Sequence, residues 1–178
     1  MKVHAQAKIE SVVSTDKFRR PLTEAYLDTD GPQPMLVATD GYALVVLPVE
    51  AAKEEQGWIS PAALKAARKL AKKADTLEIT CNGSLALNDG TQLPRSTDRS
   101  EGFYRYPQWR QVIPATDRPV AFRVALNADY LKRVADGLGD DEVILEFSEA
   151  VHPILVTPCK KDNRDGRKGV LMPIKAKE

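Results

Sequence analysis

The sequence predicts an α+β fold in which short strands form antiparallel sheets and helices are few. Apolar residues alternate with polar ones in many short runs, which is the period of half-buried strands. Asp-Gly or Asn-Gly dipeptides separate several neighbouring runs, as they do in tight hairpins. Helical composition and capping residues occur only near residues 62–74 and 128–138. We therefore expect many strands and two main helices.

The first 49 residues predict a meander of strands. Apolar side chains alternate over residues 3–13, which favours a strand, although the alanines in this stretch leave a helix open. Asp40-Gly41 supplies the positive φ angle that a tight hairpin needs. Further strands are predicted at residues 22–28, 35–39 and 42–49.

A helix and three short strands follow this meander. Ser60 and Pro61 match the N-cap and the first position of a helix, and residues 62–74 are mostly strong helix formers. Turn dipeptides then divide the chain into short apolar runs. Strands are predicted at residues 77–81, 85–87 and 91–94.

The last third of the chain repeats this order. Residues 120–126 alternate as a strand does, and Asn127 is placed to cap a helix over residues 128–138. Gly137 and Gly139 mark the end of that helix. Strands are predicted at residues 143–147, 154–157 and 170–174.

These elements predict three related modules. Residues 57–98 and 119–175 share the order strand, helix and three strands. Residues 2–49 have the same order with the helix shortened or missing, because residues 15–21 leave too little room for several helical turns. The modules are therefore related by their element order.

Composition limits the function classes. The 178 residues are 43% hydrophobic and 29% charged, the mix of a soluble globular protein, and the net charge of +1 gives no global attraction to nucleic acid. No apolar run approaches the length of a membrane span, so we expect a cytoplasmic protein without membrane contact. Cys81 and Cys159 lack the short spacing of a metal or redox site and are expected to be reduced thiols.

The sequence offers little catalytic chemistry. His4 and His152 belong to no metal-ligand or nucleophile pattern, and no glycine-rich phosphate loop is present. The acidic stretch at residues 140–142 fits a solvated turn as well as a cation site. We therefore predict a protein that is not an enzyme, with no cofactor and no metal.

The first predicted helix has one cationic face. Its basic residues have no acidic partner within the helix, and such an array suits non-specific binding to the DNA backbone. A solvated helix surface is the alternative. The DNA-binding residues predicted here are Lys65, Arg68, Lys69, Lys72 and Lys73.

Three further segments combine apolar residues with turns or prolines and predict the walls of a peptide-binding cleft. They are residues 38–46, 106–114 and 169–175. In the second of them and just before it, Tyr104, Tyr106 and Trp109 alternate with arginines. Stacking on single-stranded nucleic acid and aromatic packing at a module junction are both open interpretations, and the prolines favour packing.

Five segments, in the same order, resemble segments of the bacterial DNA polymerase III beta sliding clamp. Residues 38–46 (ATDGYALVV) resemble its ATDGHRLA, residues 106–114 (YPQWRQVIP) its FPDYRRVIP, and residues 169–175 (GVLMPIK) its VVMPMR. Residues 58–70 (WISPAALKAARKL) match one clamp helix. Residues 126–138 (LNADYLKRVADGL) resemble another, FNxxYLLDxLKAL. The resemblance covers nearly the whole chain.

This resemblance implies a DNA-clamp-like fold of reduced size. A complete clamp subunit has three domains of two modules each, and its subunits close a ring around DNA. Residues 1–116 resemble the middle domain, with the helix of the first module shortened or missing. Residues 117–178 resemble the second half of the last domain. Because the chain holds about half of a full subunit, a homo-oligomer is left open.

The resemblance also implies a groove that binds the short clamp-binding motifs of DNA polymerases, clamp loaders and repair proteins. Tyr42, Ala43 and Gln111 depart from the family pattern, so the polar rim differs. The groove residues carried over from the family are Leu22, Thr39, Gly41, Tyr42, Leu44, Pro107, Val112, Asn127, Tyr130, Val151, Val170, Leu171, Met172, Pro173 and Ile174.

Two functions follow from these predictions. The first is a clamp-like DNA replication accessory protein, similar to a processivity factor, that recruits partners in the groove and contacts DNA non-specifically. The alternative is an interaction module without a ring that competes for clamp-binding partners and so modulates replication or repair.

Overall fold

The computed structural model describes residues 1–71, 75–95, 105–114, 123–149, 152–159 and 166–174. The chain divides into two compact units, Met1–Pro114 and Ala115–Glu178. Within the described ranges lie two α-helices and three sheets whose strands all pair antiparallel. The predicted α+β fold with antiparallel sheets and few helices is confirmed.

The first unit contains one α-helix, α1, in its described part. Short 3-10 turns lie at Ile9–Ser11, Arg20–Leu22, Lys53–Glu55 and Trp109–Gln111. The regular elements are β1 (Lys2–His4), β2 (Ala25–Asp28), β3 (Met35–Thr39), β4 (Leu44–Pro48), β5 (Gly57–Ile59), α1 (Pro61–Ala71), β6 (Thr76–Asn82), β7 (Ser84–Leu87) and β8 (Gln92–Pro94). In the second unit they are α2 (Ala128–Leu138), β9 (Val143–Glu146), β10 (Ile154–Pro158) and β11 (Gly169–Leu171).

The two modules of the first unit exchange their first strands. One sheet has the order β4-β3-β2-β5 and the other the order β1-β6-β7-β8. In the first sheet Trp58 of β5 lies opposite Tyr26, and in the second Val3 of β1 lies opposite Leu77. Each sheet therefore includes one strand from the other module, so the two modules share one core. The module pattern in the sequence did not predict this exchange.

The strand predicted at residues 3–13 is wrong beyond its first residues. β1 ends at His4, and the chain continues through a turn into the 3-10 turn Ile9–Ser11. Burial still follows the alternation of apolar residues in the sequence, because Val3 and Ile9 are both in the core. The ladder with β6 ends at His4, however, and the N–H of Ala5 donates to the carbonyl oxygen of Asp75 at 2.7 Å, just before β6 begins. The carbonyl groups of residues 5 and 7 instead accept hydrogen bonds from a side chain of α1.

Several other predicted strands are shorter than expected. β4 covers only Leu44–Pro48 of residues 42–49, and β11 ends at Leu171. Leu22 belongs to a 3-10 turn, and the strand predicted at residues 22–28 begins at Ala25. Of the strand predicted at residues 120–126, the described residues form only an isolated bridge between Ala125 and Ile174. Its first three residues lie outside the described ranges.

Both predicted helices are confirmed in their described parts. Ser60 Oγ accepts a hydrogen bond from the backbone N–H of Ala63 at 3.2 Å, which caps α1. Asn127 Oδ1 accepts hydrogen bonds from two backbone N–H groups at 2.9 and 3.3 Å, which caps α2. Gly139 ends α2 with a φ of +69°, in the left-handed region that favours glycine.

The two units differ in how much apolar surface they bury. The core of the first unit gathers residues from both sheets and from α1, among them Leu27, Leu36, Ile59 and Leu64. Among the described residues of the second unit, only Leu138, Ile154, Val156 and Leu171 form its fully buried core. Its other core-facing side chains are only partly buried. In its described residues, the second unit thus has the smaller buried core.

Candidate functional site

A groove opens between the β3–β4 hairpin and residues 107–114 of the first unit. Its volume is about 660 Å³, within the range of known ligand sites, and its lining is mainly apolar. The lining residues are Leu22, Thr39, Gly41, Tyr42, Ala43, Leu44, Val46, Pro107, Gln108, Trp109, Val112, Ile113 and Pro114. All seven groove residues that the sequence analysis named in this unit are among them.

The hairpin wall of the groove is held by backbone hydrogen bonds to Asp40. Its Oδ1 accepts from the N–H groups of Tyr42 and Ala43, both at 2.8 Å, and these bonds hold the pKa of the carboxyl below its usual range. Gly41 has a φ of +95°, so a larger residue would be strained there. This loop presents the Tyr42 ring, which is 89% exposed, at the rim of the groove with the Arg19 guanidinium 5.8 Å from its centre.

The opposite wall is anchored on Asp28 at the end of β2. Trp109 Nε1 donates a hydrogen bond to Asp28 Oδ2 at 2.7 Å, and the guanidinium of Arg110 donates to the same oxygen. Burial by itself would raise the pKa of Asp28, but the hydrogen bonds from Arg110 and Trp109 outweigh it and lower this pKa. The anchor therefore depends on an ionised Asp28 carboxylate.

Three aromatic rings hold the start of the same wall. The Tyr106 ring stacks on that of Tyr26 at 5.1 Å between ring centres and meets the Trp58 edge at 5.4 Å. Its hydroxyl donates to the carbonyl oxygen of Val37 at 3.2 Å, and burial raises its pKa. Tyr106 and Trp109 thus pack inside the first unit, in agreement with the packing interpretation. Tyr104 lies outside the described residues.

Six residues that line the groove are absent from the predicted groove set: Ala43, Val46, Gln108, Trp109, Ile113 and Pro114. All six lie within residues 38–46 and 106–114, the two segments of this unit that were predicted as cleft walls. The alternation of β4 could have indicated Val46, because it lies two residues after Leu44 on the same strand.

The remaining predicted groove residues belong to the second unit. Tyr130, Val170, Met172 and Ile174 have exposed side chains. Asn127 is the N-cap of α2, and Pro173 is half-buried. Val151 lies outside the described residues.

Leu171 was predicted as a groove residue, but the structure places it in the core. Its side chain is 2% exposed and belongs to the core of the second unit. Neighbouring side chains of a strand point to opposite faces, and Val170 and Met172 face outward. Leu171 must therefore face inward, where it contacts the core rather than a ligand.

Arg68 of α1 was predicted to bind DNA, but its side chain is paired within the protein. Its guanidinium forms a paired ionic contact with Glu10, with distances of 3.0 Å to Oε1 and 2.8 Å to Oε2, and it also donates to the backbone carbonyls of Ala5 and Ala7. Glu10 is buried, which favours a higher pKa, yet the hydrogen bonds from Arg68 lower it. Arg68 therefore fastens the chain after β1 to α1 and is not free for phosphate.

The other basic residues of this helix divide into two groups. Lys65 and Lys69 are exposed. Lys72 and Lys73 lie outside the described residues. Leu70 is 39% exposed, whereas Ala63, Leu64 and Ala67 are buried.

The described residues contain no cluster of histidine, cysteine, aspartate and glutamate that could hold a metal ion. His152 lies 3.5 Å from Glu149, and His4 Nδ1 accepts a hydrogen bond from the N–H of Gln6 at 3.3 Å. Neither contact orients a nucleophile. No helix in the described part of the chain has the length and apolar character of a membrane span.

Comparison with solved structures identifies the fold as that of bacterial sliding clamps. DNA polymerase III subunit beta of Borrelia burgdorferi, solved with a natural product, has a TM-score of 0.60 at 16% identity over 98% of this chain and 47% of its own. The Bacillus subtilis DNA polymerase sliding clamp has a TM-score of 0.58 at 13% identity, over 97% and 48%. The Caulobacter crescentus beta sliding clamp has 0.55 at 16%, over 99% and 65%.

These comparisons confirm the resemblance predicted from the five sequence segments at the level of the fold. The chain spans between 47 and 65% of the length of the three clamps. No protein-family model matches the sequence, and a comparison with curated proteins finds no match.

Proposed function

We propose that this protein, which has the fold of a bacterial sliding clamp, is a clamp-like replication accessory protein that binds the clamp-binding peptides of DNA polymerases and clamp loaders. The observation that supports the proposal most strongly is the groove of the first unit. Residues named from the clamp resemblance line one apolar cavity of about 660 Å³.

The construction of the groove suits an extended peptide. Leu22, Leu44 and Val112 supply apolar walls, and hydrogen bonds on Asp40 and Asp28 hold the two sides in place. A wall fixed before binding reduces the entropy lost when a peptide docks. Burying two apolar anchors contributes roughly 3 to 6 kcal/mol before ordering costs, which corresponds to weak and exchangeable binding. We also propose the exposed side chains of Tyr130, Val170, Met172 and Ile174, on the second unit, as peptide contacts in their own right.

DNA contact is the second part of the proposal. It rests on the exposed Lys65 and Lys69, together with Lys72 and Lys73 of the same basic stretch. Such contacts are made to phosphates and carry no sequence preference. Arg68 is excluded from this set because Glu10 holds it. A role on DNA also implies a cytoplasmic protein.

The alternative role rests on the groove of the first unit alone. The chain has the elements of one two-module domain and of half of another, and we assign them to the clamp's middle domain and to the second half of its last domain. Because the groove is lined by residues of the first unit, it could bind clamp-binding peptides without encircling DNA. The role of the protein would then be competition for clamp partners. Neither role requires catalysis, a cofactor or a metal.

The test measures the fluorescence anisotropy of a labelled peptide taken from the clamp-binding segment of a bacterial replicative polymerase. Saturable micromolar binding that an unlabelled copy displaces supports the groove, and no binding at any accessible concentration contradicts it. Retention on circular duplex DNA, lost when the DNA is linearised, then distinguishes the two roles. A protein that binds the peptide but is not retained acts as the competitor.

A further inference from the structure

The first unit shows how two modules of this chain complete each other. β1 has a backbone partner on each side. Lys2 forms an isolated bridge with Glu50, just after the last strand of its own module, and it also pairs with Glu78 of β6 in the other module. The core-facing residues of β6 take part in the ladder, since the N–H of Ile79 donates to the carbonyl oxygen of Met1 at 3.1 Å. One edge of β6 is thereby covered by a strand from the other module.

The second unit repeats one half of this arrangement. Ala125 bridges to Ile174, just after the last strand of its module, and the N–H of Ile174 donates to the carbonyl of Ala125 at 2.9 Å. This bridge corresponds to the one between Lys2 and Glu50. β9 follows α2 as β6 follows α1, yet among the described strands β9 pairs only with β10. None of the described residues occupies beside β9 the position that β1 occupies beside β6.

The backbone of β9 is arranged to accept another strand. The N–H of Cys159 donates to the carbonyl of Glu142 at 2.9 Å, so the residues that bond to β10 are Glu142 and every second residue after it. The N–H and C=O groups of Val143 and Leu145 therefore point to the outer edge. Both side chains are only partly buried against the core of the second unit, and Ile144 beside them is exposed. An edge of this kind favours pairing with another chain.

We propose that two copies of this protein associate through their second units by exchanging residues 123–126, each of which pairs antiparallel with β9 of the other copy. The two half-domains would then form one complete two-module domain with the exchanged strands seen in the first unit. The inference rests on the fold and on the exposed edge, and not on the peptide groove.

The charges on the two segments favour this pairing. Val124 and Leu126 pack towards the core of the second unit, so Arg123 and Ala125 face away from it. In the register that corresponds to Lys2 opposite Glu78, Ala125 of one copy lies opposite Ile144 of the other. Arg123 then lies opposite Glu146. The model for this contact is the ion pair between Lys2 and Glu78, at 3.3 Å in the first unit.

The charges also disfavour the simplest competing arrangement. If β9 paired with β9 of a second copy, Glu142 and Glu146 would come from both chains to the same small sheet face without a basic partner. Like charges on opposed strands destabilise the pairing. The exchanged strand brings an arginine to the same edge instead. A twofold dimer repeats this ion pair twice, because each copy gives one strand and accepts one.

The test is sedimentation velocity on the full chain over a wide range of concentration. We expect the wild type to approach twice the 19.6 kDa mass of the chain. Because each substitution acts at two ion pairs, Arg123→Glu alone and Glu146→Arg alone should each weaken the dimer by about tenfold or more. The double variant should restore it, and Lys132→Glu, an exposed reversal on α2, should leave the dimer unchanged.

Hydrogen exchange provides an independent reading that does not depend on a variant. The amides of Val143 and Leu145 should be protected increasingly as the protein concentration rises. A wild type that stays monomeric overturns the inference. A dimer that neither charge reversal weakens also overturns it. So does a β9 edge whose amides stay unprotected at every concentration of the protein alone. Circular dichroism of each variant verifies that a lost dimer is not a lost fold.

Discussion

Replacing Leu44 with glutamate is the sharpest test of the groove. Leu44 is the first residue of β4 and pairs with Thr39, and its half-buried side chain lines the cavity. The neighbouring Val45 packs against the core, so Leu44 points to the other face of the strand. A glutamate at this position can reach water in the free protein, and we expect Leu44→Glu to fold normally.

The expected loss of affinity follows from the lining. A bound apolar anchor loses its contact with the leucine, which costs about 1 to 2 kcal/mol, and it also displaces water from the new carboxylate, which costs about 1 to 3 kcal/mol more. A total near 3 kcal/mol corresponds to roughly a hundredfold weaker binding.

Anisotropy titration of the labelled polymerase peptide measures this change directly. Leu70→Glu is the matched control, because Leu70 is also a partly exposed leucine but lies on α1, outside the groove. The control should bind as the wild type does. If Leu44→Glu keeps its fold and its affinity stays within threefold of the wild type, the peptide does not occupy this cavity.

Three further predictions concern stability and DNA. A methyl group on Gly169 would lie 2.5 Å from Val134 Cγ1, so Gly169→Ala should lower the free energy of unfolding, measured by urea melts, by about 1 to 3 kcal/mol. Adding Val134→Ala removes the clashing methyl group and should restore part of the lost stability. Because the pKa of Asp28 is lowered by folding, its ionised carboxylate stabilises the fold fully above about pH 4, and this stabilisation is lost as the pH falls further. Asp28→Asn should therefore lower the free energy of unfolding by about 1 to 2 kcal/mol at pH 7 and by progressively less in acid. Lys65→Glu with Lys69→Glu reverses two of the four proposed DNA-contacting lysines and should weaken salt-dependent affinity for duplex DNA, measured by titration at two salt concentrations. Unchanged affinity would assign these two lysines to a solvated surface.

The sequence predicted the local structure well because local chemistry determines it. Asn127 and Gly139 define the ends of α2, and the caps need only neighbouring residues. The hairpin around Asp40-Gly41 is equally local. The groove residues of the first unit could be named for a related reason: residues 38–46 and 106–114 each keep a clamp-like pattern within a few consecutive positions.

The features that the sequence did not predict depend on residues far apart in the chain. Glu10 lies 58 residues before Arg68, so an inspection of α1 alone made the arginine look free. The exchange of β1 and β5 between modules likewise depends on pairing across the whole first unit. Leu171 was misplaced because strand alternation assigns a face only after the core side is known.

The hydrogen bond between Trp109 and Asp28 and the packing of Trp58 against Tyr106 have a practical consequence. The chain has two tryptophans, and both are buried in the first unit. Intrinsic tryptophan emission will therefore follow the melting of that unit alone, whereas far-ultraviolet ellipticity follows both. The interval between the two transitions reports how much the second unit melts separately, without a label or a truncation.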